Sequence, residues 1–451
     1  MMHDHDTIVA PATAAGGALA IVRLSGTEAL AVCDRIFKGR TSLTEAAGYT
    51  VHYGRIVDGD RTIDDVLASV FLAPHSYTGE NSVEISCHGS SYIVSEILRL
   101  AQAAGARMAE PGEFTVRAYL AGKLDLSQAE AVADLIASST QAAHALASNQ
   151  MRGGYSASLE TLREKLLHLA SLLELELDFS EEDVEFADRK QLRETLEEIG
   201  SSIERLRNSF ALGNAIKGGI AVAIAGAPNA GKSTLLNRLL HDERALVSDI
   251  AGTTRDVIEE QTNIDGVLFR FLDTAGIRTT DDRLEEMGIR RTLESIRRAQ
   301  IVIHLVSADT IGADRAIPSA DFTLNPEQKL LTVVNKIDTR PTLTLPDGVI
   351  GISAREGTGI DTLCHALRAC VDTRALFDGD PIVSHSRHLQ ALTQAHDALR
   401  RTLPAFDTLP SDLLAEEIRA ITSALGSITG RGSITPDEIL SNIFSKFCIG
   451  K

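Results

Sequence analysis

Cysteine is scarce in this chain. Its 451 residues hold five, at positions 33, 87, 364, 370 and 448. The set is odd and scattered and contains no C-x-x-C pair, which excludes a disulfide scaffold and argues against a zinc knuckle or a dithiol redox centre. Sparse thiols suit a reducing compartment, so the chain is read as cytoplasmic. No apolar run approaches the roughly 18 residues that a membrane span needs, and no membrane partner is expected. Met1, Met2, His3, Asp4, His5 and Asp6 lack an apolar stretch. They are read as an acidic tail rather than a signal peptide, with His3 and His5 part of it rather than metal ligands. Positive charge is in deficit: 44 Lys and Arg against 62 Asp and Glu leave a net −18. Non-specific coating of nucleic acid is thereby excluded, and any RNA contact needs a local basic patch or a partner. What is present, 44% hydrophobic and 24% charged residues, is ordinary for a globular protein and excludes a disordered or fibrous one. The length predicts roughly three domains.

Residues 1–120 combine strand-like runs with a helical spacing from Tyr92 to Ala104. The runs are Ile8–Val9, Ala20–Leu24, Val51–Val57, Val66–Leu72 after an Asp58-Gly59 turn, and Val83–Cys87. They predict a compact α+β domain. Over 121–213, Leu159, Leu162, Leu166, Leu169 and Leu173 recur at spacings of three and four. Leu192, Leu196, Ile199, Ile203, Leu206 and Phe210 do the same. Two long amphipathic helices follow, joined by a solvated acidic link at Glu181, Glu182 and Asp183. Residues 214–376 alternate strand and helix, with strand-like runs at Ile220–Ala225, Val267–Leu272, Ile301–Val306, Leu331–Asn335 and Val349–Ser353. Asp265-Gly266 is expected to join two of these runs as a tight hairpin, in a mostly parallel sheet with one antiparallel edge. Residues 377–451 are helical again, with a helix start at Thr435-Pro436-Asp437-Glu438. Helical material on both sides implies one helical domain, split in sequence, with the α/β domain inserted in it.

Gly226 to Ser233 (GAPNAGKS) matches G-x-x-x-x-G-K-S, follows an apolar strand and opens a helix. That context identifies a phosphate loop, whose backbone N–H groups and helix N-terminus suit negative charge. Lys232 would reach the β and γ phosphates and Ser233 would ligate Mg²⁺, with Asn229, Ala230, Gly231 and Thr234 completing the loop. Asp273, Thr274, Ala275 and Gly276 close the next strand; Asp273 can hold Mg²⁺ through water, and the Gly276 N–H can sense the γ phosphate. Asn335, Lys336 and Asp338 lie in an N-K-x-D run. The Asp338 carboxylate can accept from the N1–H and amine of guanine, a donor pair that adenine lacks. Ser353, Ala354 and Arg355 suit a backbone contact to the guanine oxygen. In this order, at strand ends, these motifs predict a GTPase.

Two departures from a signalling GTPase bear on mechanism. The residue after Gly276 is Ile277, where Ras-type enzymes place a water-positioning Gln. Hydrolysis needs another group, and Glu285 and Glu286 follow in the same stretch, either as that group or as solvated helix charges. The phosphate loop also carries Asn229, and the loop from Ser248 to Asp256 carries Thr253 and Thr254. Thr254 is placed to ligate Mg²⁺. Asn229, Thr253 and nearby carbonyls either surround a monovalent cation, neutralising charge at the β–γ bridge, or Asn229 braces the loop.

These residues, with both ends of the chain, resemble the MnmE (TrmE) family of tRNA-modification GTPases over essentially all 451 residues. Outside the α/β domain the likeness rests on Asp6–Ala10 (DTIVA), Ile21–Gly26 (IVRLSG), Tyr77–Glu80 (YTGE), Pro111–Phe114 (PGEF), Lys123–Glu130 (KLDLSQAE) and the terminal Cys448–Lys451 (CIGK). The resemblance implies a multidomain protein with an N-terminal α+β domain that dimerises and binds a tetrahydrofolate derivative. It further implies a discontinuous helical domain and an inserted Ras-like P-loop GTPase domain. Arg23, Glu80, Lys123 and Lys451 would contact folate. Potassium would be held by Asn229, Ser248, Ile250 and Thr253, drawing the two G domains of a homodimer together. Glu285 matches the water-orienting position, beside Lys232 in the catalytic set. Cys448 matches a terminal cysteine considered catalytic; a thiolate can be a nucleophile, but nothing beside it in sequence marks a lowered pKa, and it is read as lying near the folate.

The implied reaction, with a GidA (MnmG)-type flavoprotein in a heterotetramer or larger assembly, adds an aminomethyl-type (carboxymethylaminomethyl) group to C5 of the wobble uridine of tRNA. Folate supplies the one-carbon unit, and glycine or ammonium the nitrogen. The chain has no G-x-G-x-x-G flavin loop, so FAD and NADH belong to the partner. Two rivals are a folate-sensing switch without chemistry of its own and a ribosome-assembly GTPase. The second predicts a basic RNA-binding domain after residue 376, where the chain instead has Glu416 and Glu417 and no lysine-rich stretch.

Overall fold

The computed structural model describes residues 6–14, 16–178, 189–241, 260–272, 285–312, 316–320 and 322–431, and beyond them 440, 443, 444, 447 and 450. The acidic link at Glu181–Asp183 and the helix start at Thr435–Glu438 lie outside these residues. The chain forms two compact units, one from Met1–Ala133 with Thr422–Lys451 and the other from Asp134–Ile421.

The first unit is built on a seven-stranded sheet. Its elements are β1 (Ile8–Pro11), β2 (Leu19–Ser25), α1 (Ala29–Ile36), β3 (Phe37–Gly39), β4 (Thr50–Asp58), β5 (Arg61–Phe71), β6 (Ser82–His88), α2 (Ser91–Ala103), β7 (Arg107–Met108), α3 (Glu113–Leu120) and α4 (Leu126–Ala137). The strand order is β3-β4-β5-β6-β2-β1-β7, antiparallel except for the parallel β1–β7 pair. Alternation decides which face is covered. Val22, Leu24, Val66, Ala68, Val70, Val83 and Ile85 point into a core shared with Ala29 and Cys33 of α1 and Val94, Ile97 and Ala101 of α2. The other face stays open and exposes Leu19, Val51, Tyr53 and Leu67. Phe114 of α3 is buried against Ile8, Ala10 and Ala109. Phe444 and Phe447 pack on Val116, Leu126 and Ala129, so the end of the chain returns to the unit in which it began.

The second unit contains α5 (Gln141–Met151), α6 (Gly154–Asp178), α7 (Arg189–Gly218), β8 (Ile220–Ala225), α8 (Lys232–His241), β9 (Glu260–Ile264), β10 (Val267–Phe271), α9 (Glu285–Arg298), β11 (Ile301–Ser307), β12 (Lys329–Asn335), β13 (Ile350–Gly351), α10 (Ile360–Ala369), α11 (Arg374–Phe377), α12 (Ser386–Ala405) and α13 (Ser411–Thr429), the last running on into the first unit. The two predicted leucine stripes are the buried faces of α6 and α7. The sheet order is β13-β12-β11-β8-β10-β9, parallel apart from the β9–β10 hairpin. That hairpin turns on Asp265 (φ +47°) and Gly266 (φ +80°), the two left-handed residues that a tight two-residue turn requires. All six residues of β8 are buried, as a central parallel strand demands. Ile220, Val222 and Ile224 face Leu235, Leu236 and Leu239 of α8. Ala221, Ala223 and Ala225 face Ile296 and Ala299 at the end of α9. Among the described residues, no helix is long and apolar enough to cross a membrane, and Cys33, Cys87 and Cys370 are free thiols.

Candidate functional site

The loop between β8 and α8 lies where a central strand ends and a helix begins. It turns through Asn229 (φ +62°) and Gly231 (φ +95°), and the Ala230 N–H donates to the Ala227 carbonyl at 3.2 Å. Gly231 admits no side chain, because a Cβ there would lie 2.2 Å from Asn335 Nδ2. Lys232 Nζ donates back into the loop, to the carbonyls of Gly226 (2.8 Å) and Ala227 (3.0 Å). Burial holds its pKa below the ordinary lysine value. Both acceptors are neutral, so an anionic phosphate meeting Lys232 would stabilise the charged form.

Asn335, at the end of β12, joins the two halves of this site. It is 2% exposed. Its Nδ2 donates to the Ala230 carbonyl at 2.8 Å. Its Oδ1 accepts from the Lys336 N–H at 2.8 Å and the Ala354 N–H at 3.0 Å. One amide thus connects the phosphate loop to the turn after β13. In that turn Ser353 is buried, its N–H donates to the Thr358 carbonyl at 2.9 Å, and its hydroxyl accepts from the Glu356 N–H at 3.2 Å. Asp338 sits exposed on a short turn, Ile337–Thr339, that opens with Lys336 at φ +64°. Lys336 Nζ lies 3.7 Å from Asp309, and Thr339 donates to Asp309 at 3.0 Å. The Thr339 hydrogen bond, helped by Ser307 and Lys336, holds the Asp309 carboxyl below its ordinary range.

Ser248, Ile250, Thr253, Thr254, Asp273, Thr274, Ala275 and Gly276 lie outside the described residues, as do Cys448 and Lys451. Glu285 opens α9, and its side chain is likewise outside the described set. Among the described residues no three His, Cys, Asp or Glu side chains form a metal cluster.

A second charged site occupies the first unit. Arg23 stands opposite Glu84 across the β2–β6 ladder, and the two form an ion pair at 2.7 Å. The Arg23 guanidinium lies 5.5 Å from the Tyr77 ring and 5.6 Å from the Phe114 ring, and its Nη1 reaches the Gly450 carbonyl at 3.5 Å. Glu80 accepts from Ser25 Oγ at 2.8 Å and from Arg117 Nη1 at 3.1 and 3.2 Å. Lys123 Nζ donates to the Pro74 carbonyl at 2.8 Å, on the loop that carries Glu80. Arg23, Glu80 and Lys123 therefore converge on one region, and the first two are partly buried and paired rather than ordinary surface charges.

The residue that the motifs did not disclose is Arg117, 8% exposed. It also bonds Asp6 Oδ1 at 2.6 Å and Glu113 Oε1 at 3.0 Å. Burial opposes its charge, but Glu80, Glu113 and Asp6 outweigh that and raise its pKa. The available signal was Glu113, four residues earlier on α3 and so on the same helix face.

Comparison with known proteins covers the whole chain. A model of the GTP-binding protein TrmE N-terminus matches residues 7–123, and a model of the MnmE helical domain matches residues 126–448. A tRNA modification GTPase MnmE of Flavobacterium johnsoniae is 49% identical, with all of both chains covered. One of Bacteroides fragilis is 49% identical over 99% of this chain and 100% of its own. Among solved structures, a variant of Aquifex aeolicus Era bound to GDP and AlF4⁻ is 28% identical, covering 39% of this chain and 65% of that one with a TM-score of 0.25. Full-length coverage at this identity makes the first two relatives decisive.

Proposed function

This chain belongs to the MnmE (TrmE) family of tRNA modification GTPases, and on that premise we propose that it is a potassium-dependent GTP hydrolase installing a carboxymethylaminomethyl-type group at C5 of the tRNA wobble uridine. A GidA (MnmG)-type flavoprotein, bringing FAD and NADH, shares the reaction, and a tetrahydrofolate derivative supplies the carbon. The work takes place in the cytoplasm. A four-part division at 1–120, 121–213, 214–376 and 377–451 accompanies this reading, with α7 running unbroken across the second boundary to Gly218.

The observation that carries the nucleotide part is Asn335, which ties the Lys232 loop to the Ala354 turn. Phosphate and base recognition thereby become two ends of one rigid site. Lys232 binds the β and γ phosphates; Ala230, Gly231, Ser233 and Thr234 surround them, and Asp338 selects guanine with Lys336, Ser353, Ala354 and Arg355 around the base. Ser233 and Thr254 suit Mg²⁺, and Asn229, Ser248, Ile250 and Thr253 offer the oxygen set that potassium prefers. When bound, these cations neutralise charge on the phosphate oxygens. Thr274, Ala275 and Gly276 report on the γ phosphate after Asp273, and Glu285 orients water.

For folate, Arg23 on its two aromatic rings and the partly exposed Glu80 match the charge and flatness of a pterin. Glu80 is already held by Arg117 and Ser25, so it meets a ligand in a fixed orientation. Lys123 and Lys451 supply further positive charge, and Cys448 lies near this ligand rather than acting as a nucleophile. The open sheet face with Leu19, Val51, Tyr53 and Leu67 supports a homodimer.

Mass analysis of tRNA nucleosides, made by this chain with its flavoprotein partner, tests the proposal. The modified uridine should form only when GTP and folate are both supplied; unmodified tRNA in the complete mixture would overturn it. GTP turnover should be faster in KCl than in NaCl at equal ionic strength, and equal rates would remove potassium from the mechanism.

A further inference from the structure

Six residues beyond Lys232, α8 carries a second cation. Arg238 is partly buried. Its Nε donates to the Ala354 carbonyl at 3.3 Å and its Nη2 to the Arg355 carbonyl at 2.5 Å. Its Cζ lies 3.7 Å from where a Cβ on Gly357 would stand. One planar guanidinium, on the helix that begins with Lys232, therefore closes on the turn after β13. That turn is rigid in itself, with Ser353 N–H donating to Thr358 O at 2.9 Å and Gly357 N–H to Ser353 O at 2.8 Å. Its placement against the phosphate loop is a separate matter. Asn335 ties it from β12, and Arg238 ties it from α8.

Two consequences follow from peptide geometry. In a trans peptide the C=O and N–H point in opposite directions, so drawing the Ala354 carbonyl toward α8 directs the Arg355 N–H away from that helix. A charged donor on a carbonyl also polarises the peptide and strengthens its N–H as a donor. Arginine suits this task because its fork spans two acceptors at once, which a lysine ammonium on a flexible stem does less well.

We propose that Arg238 is a positioning residue for guanine recognition, locking the 353–358 turn to the phosphate-loop helix so that the two ends of the nucleotide site keep one spacing. This rests on the reading that the Ser353–Arg355 turn and Asp338 meet the base. The test compares wild type, Arg238→Ala and Arg238→Lys for the release rate of fluorescently labelled GDP, the KM and kcat for GTP, and the melting temperature. Asp338→Asn is carried as a control on the base pocket.

Loss of charge-assisted bonds predicts about tenfold faster GDP release and about tenfold higher KM in Arg238→Ala. Its kcat at saturation should stay within about twofold, because the groups at the γ phosphate are untouched. Arg238→Lys, which keeps the stem and one donor, should fall between, and it carries the test alone should the alanine variant fail to fold. A fall in kcat with unchanged release, or a lowered melting temperature as the sole effect, overturns the proposal. Unchanged release in Arg238→Ala alongside weakened GTP binding in Asp338→Asn overturns it while leaving the base pocket standing. If Asp338→Asn also binds GTP normally, the base pocket itself is misplaced and the proposal falls with it.

Discussion

Gly231 is where the phosphate loop can least tolerate a side chain. Its φ of +95° lies in the region that L-residues avoid, and a Cβ would press on Asn335 Nδ2. Displacing Asn335 would orphan the Ala230 carbonyl and the Ala354 N–H, each a loss of about 1–3 kcal/mol. Gly231→Ala should therefore weaken GTP binding by more than about tenfold while the far-UV circular dichroism stays that of a folded protein; wild-type affinity would show that the loop has another solution. The loop itself was legible because a phosphate loop is a local motif, written in eight consecutive residues. Arg117 and Arg238 were not. Helix spacing reaches only the Arg117 bond to Glu113; the Glu80 carboxylate lies 37 positions from Arg117 and the Ala354 carbonyl 116 from Arg238, and no spacing rule connects a helical arginine to an oxygen that the fold brings beside it. Glu80 drew attention only through a family likeness, and its pairing with Arg117 was not legible at all.

At the scale of elements, hydrophobic period decided what could be foreseen. The stripes of α6 and α7 and the unbroken apolar run of β8 carry strong patterns, and each became the element expected of it. β9 escaped notice because it is an edge strand of sequence EQTNI, with only Thr262 and Ile264 buried; half its polar residues face outward and no apolar alternation marks it. Helices also meet at a polar node that no pattern reveals. Asp134 of α4 accepts from Lys217, near the end of α7, at 2.6 Å and from His385, the residue just before α12, at 2.8 Å. Burial would raise the Asp134 pKa, but the His385 hydrogen bond and the charges of His385 and Lys217 outweigh it and lower it. A depressed folded-state pKa contributes stability above the unfolded value of about 3.9, and that contribution is lost as pH falls through the folded value. Asp134→Asn should thus cost about 2 kcal/mol near pH 7. The difference from wild type should shrink below about pH 4. A pH-independent difference in thermal melts would show that the carboxylate charge is not what matters.

For the whole molecule, residues 422–451 join the unit made by residues 1–133, a return that only the family likeness foreshadowed, by setting Lys451 beside Arg23 and Glu80. Composition marks both stretches as ordinary; the packing of Phe444 and Phe447 on α3 and α4 and the Gly450 carbonyl at Arg23 make the return visible. The open sheet face belongs to this scale as well. Tyr53 and Leu67 stand opposite each other across β4 and β5 and are 67% and 45% exposed. If that face joins two copies, Tyr53→Glu with Leu67→Glu should halve the mass seen by light scattering and leave GTP affinity unchanged. An unaltered mass would place the dimer contact elsewhere.

One feature of α7 reaches beyond its packing. The helix is 30 residues long, about 45 Å at 1.5 Å per residue. Only Gly219, with φ +85°, separates it from the strand that delivers Lys232. The rod thus ties the start of the strand before Lys232 to the α6 and α12 helices on which it packs, so the phosphate loop is anchored in the helical body and not only in its own sheet.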